Sequence, residues 1–345
     1  MAERLAELTT LRLGGPAGTL VHARDEGELV GAVRRADESG EPMLLVAGGS
    51  NLVVADDGFP GTVVLVETSG VEVDVDDCGG AVLTVAAGEP WDPLVARAVA
   101  EGWVGIEALS GIPGSVGATP VQNVGAYGQE VSEVTTRVRT WDRKAGELRT
   151  FAAADCGFGY RTSMFKREPD RFVVLTVGFQ LRLGSLGAPL QYAELARRLG
   201  ADGGARVPAA DVREAVLELR RGKGMVLDPD DHDTWSAGSF FTNPLLDADA
   251  AGTLPAEAPR WRQPDRRTKV SAAWLIEHAG FGKGYGNDRA AISGKHTLAL
   301  TNRGTASTAD LLALAAEIRE GVHAAYGVWL VNEPTLVGCA LPGPS

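Results

Sequence analysis

The chain has 345 residues, 44% of them hydrophobic and 23% charged, with a net charge of −12. That length predicts more than one domain with a substantial core, and the acidic balance excludes the extended basic face that general nucleic-acid or anionic-membrane binding needs. Cys78, Cys156 and Cys339 form no CxxC, the five histidines have no metal-ligand spacing, and neither MAERLAELTTLRLGG nor any later run has the apolar core of a signal peptide or a span, so the expectation is a reduced, cytoplasmic protein without metal.

In chain order, Leu20–Ala23 reads as a short strand, Glu28–Asp37 as an amphipathic helix and Met43–Val46 as a buried strand running into the Gly-rich turn Ala47–Leu52. Strands follow at Val63–Glu67, Val71–Val75 and Val82–Ala87, then a helix over Pro93–Glu101 with Asp92 as its N-cap beside an N1 proline. Leu109–Glu130 has neither helical nor strand periodicity. Val134–Trp141 and Glu147–Phe151 alternate about Lys144-Ala145-Gly146 as a hairpin, and Phe172–Leu183 is a long strand. Gly184–Pro208, rich in Gly, Ala and Pro, reads as an interdomain connection carrying Tyr192. A helix over Asp211–Arg221, the acidic turn Asp228–Asp233 and the segment Gly238–Pro244 open the second half. A helix (Val270–Ala279), a strand (Thr297–Asn302), a helix (Thr308–Tyr326) and a strand (Val328–Val331) complete an α+β or α/β pattern.

The loop Leu109–Glu130 carries Gly111, Gly114, Gly117, Gly125 and Gly128 and the polar pair Gln122 and Asn123. Such a segment is either a long surface loop or a cradle, since glycine lets backbone N–H groups approach a phosphate closely. It is neither a P-loop nor a GxGxxG fingerprint. A second Gly-rich turn after Val46 favours the cradle and points to one long, diphosphate-containing ligand. Arg161, between small and aromatic neighbours, is a structural anchor or an electrostatic clamp that stabilises developing negative charge but delivers no proton. Ser239 is a turn residue or a proton donor, and Glu333 an exposed carboxylate at a strand end or a participant. Arg220, Arg221 and Lys223, with Arg260, Arg262, Arg266, Arg267 and Lys269, are solvated surface or a local basic pocket. No Ser-His-Asp or Cys-His pair assembles from local motifs. The residues alone lead to a protein that binds an extended phosphorylated cofactor beside an anion clamp and a candidate proton donor.

Taken together, Thr9–Ala17, Gly48–Leu52, Ile112–Ala118, Pro120–Gly128, Gly159–Ser163, Gly238–Pro244, Trp274–Ile276 and Leu330–Glu333 resemble the MurB family of flavoenzymes, the UDP-N-acetylenolpyruvoylglucosamine reductases of cell-wall precursor synthesis. The resemblance implies an α+β fold: a vanillyl-alcohol-oxidase-type (PCMH-type) FAD-binding domain over 1–185, in two subdomains of about 1–67 and 68–185, and a smaller α/β substrate-binding domain over 209–332. Between them lies the connecting segment 186–208, and the tail 333–345 returns toward the FAD domain. It implies non-covalent FAD held by Gly48, Gly49, Ser50, Asn51, Leu52, Ile112, Pro113, Gly114, Ser115, Gly117, Ala118, Gln122, Asn123, Gly125, Ala126 and Arg161. It gives catalysis to Arg161, Ser239 and Glu333, and the nucleotide substrate to Tyr127, Tyr192, Lys223, Asn243 and His296, with Tyr192 as the tyrosine of an inserted loop found in one subclass. NADPH and UDP-N-acetylglucosamine enolpyruvate are the implied reactants, with no obligatory protein partner. Gly282-Lys283-Gly284, His296 in place of a common glutamine, and the insertion Asp228–Asp233 depart from the family's usual pattern. A flavin oxidase of the same fold and a non-catalytic flavin-binding protein are the alternatives, neither of which needs Arg161, Ser239 and Glu333 together.

Overall fold

Leu29, Ala32, Val33 and Ala36 recur at helical spacing and are buried, which is why Glu26–Ser39 folds as a helix against a sheet. Asp25 caps it by accepting the Glu28 N–H at 2.8 Å, a contact worth about 1 kcal/mol. Gly40 ends it in the left-handed conformation at φ 68°, which costs a residue without Cβ little. The sheet has the order Ala17–Ala23, Phe59–Val66, Met43–Val46, and the last two run parallel with Met43 opposite Thr62. Ala23, Val64, Val173 and Leu175 complete the core on which the helix lies.

The computed structural model describes residues 3–341 and divides into two compact units, Gly18–Gly48 with Pro60–Gly222, and Met1–Ala17 with Gly49–Phe59 and Lys223–Ser345. In the first unit the larger sheet is antiparallel and ordered Glu147–Ala152, Thr135–Asp142, Phe172–Leu183, Gly80–Ala86, Val71–Asp76, and Trp103–Val104 pairs with the end of Phe172–Leu183. The expected hairpin is present, with Trp141 opposite Leu148. The helix Trp91–Ala100 buries Trp91, Leu94, Val95 and Ala98 with Leu83, Val85, Val177 and Phe179, each large apolar side chain contributing about 1.5–3 kcal/mol.

Two expectations are corrected in this unit. Pro90, not Asp92, holds the N-cap position of that helix; Asp92 lies in the first turn and binds the Gly111 N–H and Arg213 instead. The segment Gly184–Pro208 is not a bare connection. Ala193–Arg198 is a helix, and Leu190, Leu195 and Ala196 are buried with Ala108 and with Val212, Ala215 and Val216 of the helix Ala209–Gly222. Burial of these apolar positions outweighs the flanking Gly and Pro.

The second unit is built on the helix Thr308–Tyr326, which has a capping box between Ser307 and Asp310 and ends at Gly327 in the left-handed conformation. Asp56 adds charge at its start, accepting the Thr308 and Ala309 N–H groups at 2.7 and 3.0 Å, as the helix dipole favours. Leu311, Ala315, Ile318 and Val322 pack with Leu275 and Ile276 of the helix Ala272–His278 and with Phe240, Phe241 and Leu330. Around them lie the strands Leu245–Leu246, Thr268–Val270 and Arg260–Arg262, the hairpin Ala290–Ile292 with Leu300–Asn302, and the parallel pair Leu52–Val54 with Thr335–Val337.

That parallel pair takes Gly49–Phe59 into the second unit, while the apolar face of Ala209–Gly222 keeps that helix in the first. The units therefore do not follow the expected boundaries at 185 and 209. Val328–Val331 forms no strand; its neighbourhood is anchored by an isolated bridge between Phe241 and Asn332. Of the expected tail 333–345, residues 342–345 lie outside the described residues.

Candidate functional site

In the first unit Gly48 of the first Gly-rich turn meets Gly114 of the second loop. A Cβ on Gly48 would stand 2.6 Å from the Gly114 Cα, and Gly114 itself holds φ 116°. From there the chain runs beside Ala87–Pro90: Trp91 N–H donates to Gly114 O at 3.0 Å, Val116 N–H to Glu89 O at 2.8 Å and Gly117 N–H to Ala87 O at 2.8 Å. A Cβ on Gly117 would lie 2.5 Å from that of Ala87. These backbones help frame a cavity of ≈ 390 Å³ whose lining includes Ala47, Gly48, Glu67, Thr68, Gly88, Glu89, Gly114 and Ser115. Glu67 is engaged by His22 Nδ1 at 3.0 Å and Glu89 by the Gly70 N–H at 2.7 Å.

Ser115 is 4% exposed, and its Oγ has no hydrogen-bond partner among the described residues. A buried hydroxyl left unpaired costs about 1–3 kcal/mol, and a phosphate or ribose oxygen in the cavity would pair it. Closely approaching glycine backbones and this hydroxyl fit a dinucleotide cofactor.

Beyond the cradle, Ile112 packs against the core and Ala118 donates its N–H to Ser115 O at 3.1 Å. Gln122 Oε1 accepts from Lys166 Nζ at 3.2 Å. Asn123 is buried and donates from Nδ2 to Glu130 Oε2 at 2.7 Å and Gly159 O at 3.2 Å, which fastens the loop to the turn carrying Arg161. Gly125–Ala126 pairs with Gln129–Glu130 as a short hairpin. Arg161 sits at the tip of a turn closed by reciprocal Gly159–Thr162 bonds of 3.0 and 3.2 Å, and its Nη2 donates to Gly125 O at 2.8 Å.

Among the described residues five non-glycines have positive φ, and Asn123 (48°), Tyr127 (49°) and Arg161 (51°) are three of them. Each costs about 1–3 kcal/mol, a strain that collects at functional sites. Tyr127 meets Tyr192 edge-on at 5.4 Å. Burial, only partly offset by nearby Arg220, pushes the Tyr127 phenol up to about 12, so at neutral pH it is a hydrogen-bond donor.

In the second unit Gly238, at φ 71°, precedes half-buried Ser239 and the buried pair Phe240 and Phe241. The Phe240 N–H donates to Leu298 O at 2.7 Å, and Phe240 O accepts the Glu333 N–H at 2.8 Å. Ser239, His296 and Glu333 therefore gather within two residues of one backbone junction. His296 Nδ1 accepts the Leu298 N–H at 3.1 Å, which puts the ring proton of the neutral form on Nε2. Asn243 Oδ1 accepts the Ala272 N–H at 2.9 Å and so supports the start of a helix. Lys223 is half-buried and begins this unit's long C-terminal stretch. Gly49 packs on the N-terminal segment, where a Cβ would lie 1.8 Å from Leu8 O, and Asn51 O accepts the Thr335 N–H at 2.9 Å. Ser50 and Leu52 flank Asn51 there.

Residues 17–152 match a family model described as an FAD binding domain, and residues 228–337 match the UDP-N-acetylenolpyruvoylglucosamine reductase C-terminal domain. UDP-N-acetylenolpyruvoylglucosamine reductases from Cutibacterium acnes and Streptomyces coelicolor are each 57% identical to the chain, covering 98% of it and 90% of their own lengths. The chain belongs to the UDP-N-acetylenolpyruvoylglucosamine reductase family. The structure of the family's Thermus caldophilus reductase agrees, with a TM-score of 0.66 at 26% identity over 98% of this chain and 99% of that one. The reductase is thus an FAD-dependent oxidoreductase of peptidoglycan precursor synthesis that uses NADPH as reductant, and its α+β fold joins an FAD-binding domain to the family's C-terminal domain. The cavity at Gly48, Gly114 and Ser115 falls within the matched FAD-binding residues, and Ser239, Asn243, His296 and Glu333 fall within the matched C-terminal domain.

Sequence reasoning missed several groups that shape the reductase's first unit. Glu67–Ser69 and Gly88–Pro90 line the cavity without any motif. Asp92 and Arg213 form a two-pronged pair of 2.6 and 2.9 Å beside Gly111. Glu107 is 1% exposed; the legible signal was a carboxylate inside the apolar run Val104-Gly-Ile-Glu-Ala-Leu109, since a carboxylate survives burial only when paired.

Proposed function

We propose that Arg161, Ser239 and Glu333 carry the reduction of the enolpyruvyl ether of UDP-N-acetylglucosamine to the lactyl ether of UDP-N-acetylmuramate. Tyr127, Tyr192, Lys223, Asn243 and His296 hold the nucleotide sugar. FAD sits non-covalently on the two Gly-rich loops, whose segments contain neither Cys nor His. The observation that carries the reading is the hydrogen bond from Glu333 N to Phe240 O at 2.8 Å, which brings the backbones of Ser239 and Glu333, from distant motifs, within one residue of each other across a backbone pairing. No turn or cap role for Ser239 requires that. We also assign the enzyme to the cytoplasm, in support of cell shape and division; no helix among the described residues is long and apolar enough to cross a membrane.

Bound FAD supplies hydride transfer from NADPH to the terminal vinyl carbon of the substrate, the chemistry a protein side chain lacks. The substrate then carries negative charge shared between the ether-bearing carbon and its carboxylate. Arg161 stabilises that charge, because a guanidinium stays protonated at any working pH. Glu333 assists when protonated, donating its hydrogen bond to the substrate carboxylate. Ser239 gives its hydroxyl proton to the ether-bearing carbon, which completes the lactyl group.

Anaerobic mixing tests the activity itself. NADPH should bleach the flavin band, and the enolpyruvyl UDP-sugar should then restore it with formation of UDP-N-acetylmuramate. Restoration by oxygen alone, with no response to the UDP-sugar, would favour an oxidase and defeat the assignment.

A further inference from the structure

One buried carboxylate ties together three parts of the first unit. Glu107 Oε1 accepts Gln129 Nε2 at 2.9 Å and the Ala188 N–H at 2.6 Å, and its Oε2 accepts the Gly105 N–H at 2.6 Å. Gln129 Oε1 in turn accepts the Ala108 N–H at 2.8 Å. A Cβ on Gly187 would lie 2.7 Å from Glu107 Oε1, so the chain passes close against the carboxylate there. The joined segments are the start of the Gly-rich loop, the short strand at its end and the approach to Tyr192. The last two meet again further on: a Cβ on Gly128 would stand 2.8 Å from the Gln191 Cβ, and Tyr127 lies edge-on to Tyr192 at 5.4 Å.

This is a closed ring, fastened at one end by Glu107 and carrying the two tyrosines at the other. An acceptor-only group is required at the fastening, because three N–H donors converge on it. A glutamine there would turn its NH₂ toward one of them.

We propose that Glu107 is a positioning residue for substrate binding, clasping the Tyr192 segment to the hairpin that carries Tyr127 so that the two rings hold the arrangement that receives the UDP-sugar. The proposal rests on the reading of Tyr127 and Tyr192 as substrate contacts. Glu107 touches neither substrate nor cofactor; it acts through Tyr192.

Steady-state and half-reaction kinetics of Glu107→Gln test it. The KM for the enolpyruvyl UDP-sugar should rise by about tenfold or more, as for a lost hydrogen bond to a charged group. The kcat, the FAD content and the rate of bleaching by NADPH should stay near those of the parent. Gln129→Ala removes one of the three partners and should raise KM by a smaller factor; it decides the matter by the same criteria if Glu107→Gln does not fold. In a Tyr192→Ala background Glu107→Gln should add little further, because coupled residues are not additive. If Tyr192→Ala raises KM while both clasp variants leave it unchanged, the clasp is overturned and the substrate reading stands. If Tyr192→Ala itself leaves KM unchanged, the substrate reading falls and the proposal with it. Full additivity, loss of FAD, or equal slowing of both half-reactions makes Glu107 general scaffolding and overturns the proposal.

Discussion

Arg161 Nη2 donates to the carbonyl oxygen of Gly125 at 2.8 Å, and a Cβ on Gly125 would stand 3.3 Å from its other terminal nitrogen. The guanidinium is thereby fixed to the short strand that leads into Tyr127. Lysine would keep the charge but lose this forked geometry. Arg161→Lys should slow oxidation of the reduced flavin by the UDP-sugar by about 10²–10³-fold, the loss seen when a preorganised charge stabiliser is removed. Single-turnover spectroscopy measures it, and a parental rate would rule out the clamp.

Gly48→Ala should weaken FAD retention. Its Cβ would stand 2.6 Å from the Gly114 Cα, and backbone, unlike a flexible side chain, has no easy way to yield. Gly203→Ala, whose Cβ meets nothing within 4 Å, is the control. The ratio of FAD to protein after gel filtration should fall well below one for the first and stay at the parental value for the second. Equal ratios would remove the Gly48–Gly114 approach from the cradle.

Asp92 gives a pH-dependent test. Burial opposes its charge, but the Arg213 fork and the Gly111 N–H outweigh that and hold the carboxyl below its ordinary value of 3.8. A carboxylate depressed in the folded state stabilises the fold above its unfolded value and loses that contribution as pH falls through the folded one. Asp92→Asn should therefore melt below the parent at neutral pH, and the gap should narrow as pH falls below the ordinary carboxylate range. A gap independent of pH would assign the loss to something other than the charged pair.

Cysteine labelling probes the burial. Desolvation pushes the Cys156 thiol up to about 11 and raises that of Cys339 as well, whereas Cys78 is exposed. Because the thiolate is the reactive form, iodoacetamide at neutral pH should modify Cys78 first. Mass spectrometry of timed digests follows it, and early labelling of Cys156 would contradict the buried core around it.

Much of this was legible in the sequence, for identifiable reasons. Met43–Val46, Phe172–Leu183 and Thr308–Tyr326 begin and end where their apolar patterns do. The approach of Gly48 to Gly114 was legible because close backbone contact requires glycine, which marks the composition at both positions. Ala193–Arg198 was hidden by its brevity among Gly and Pro. Val328–Val331 has strand composition, yet whether it pairs depends on Phe241 and Thr242, far away in sequence. Glu107 belongs to the same class: its partner Ala188 lies 81 residues on, and no local pattern encodes such a bond.

Ser239 is assigned the proton that completes the product, and stopped-flow timing of the two half-reactions in Ser239→Ala tests that role most directly. A donor needed only in the second step has no part in the first, so NADPH should bleach the flavin at near the parental rate. Reoxidation by the enolpyruvyl UDP-sugar should slow by about 10²–10⁴-fold, the contribution of a general acid, and Ser239→Cys should recover part of it. Equal slowing of both steps, or impairment of NADPH reduction alone, would make Ser239 a structural residue and contradict the assignment.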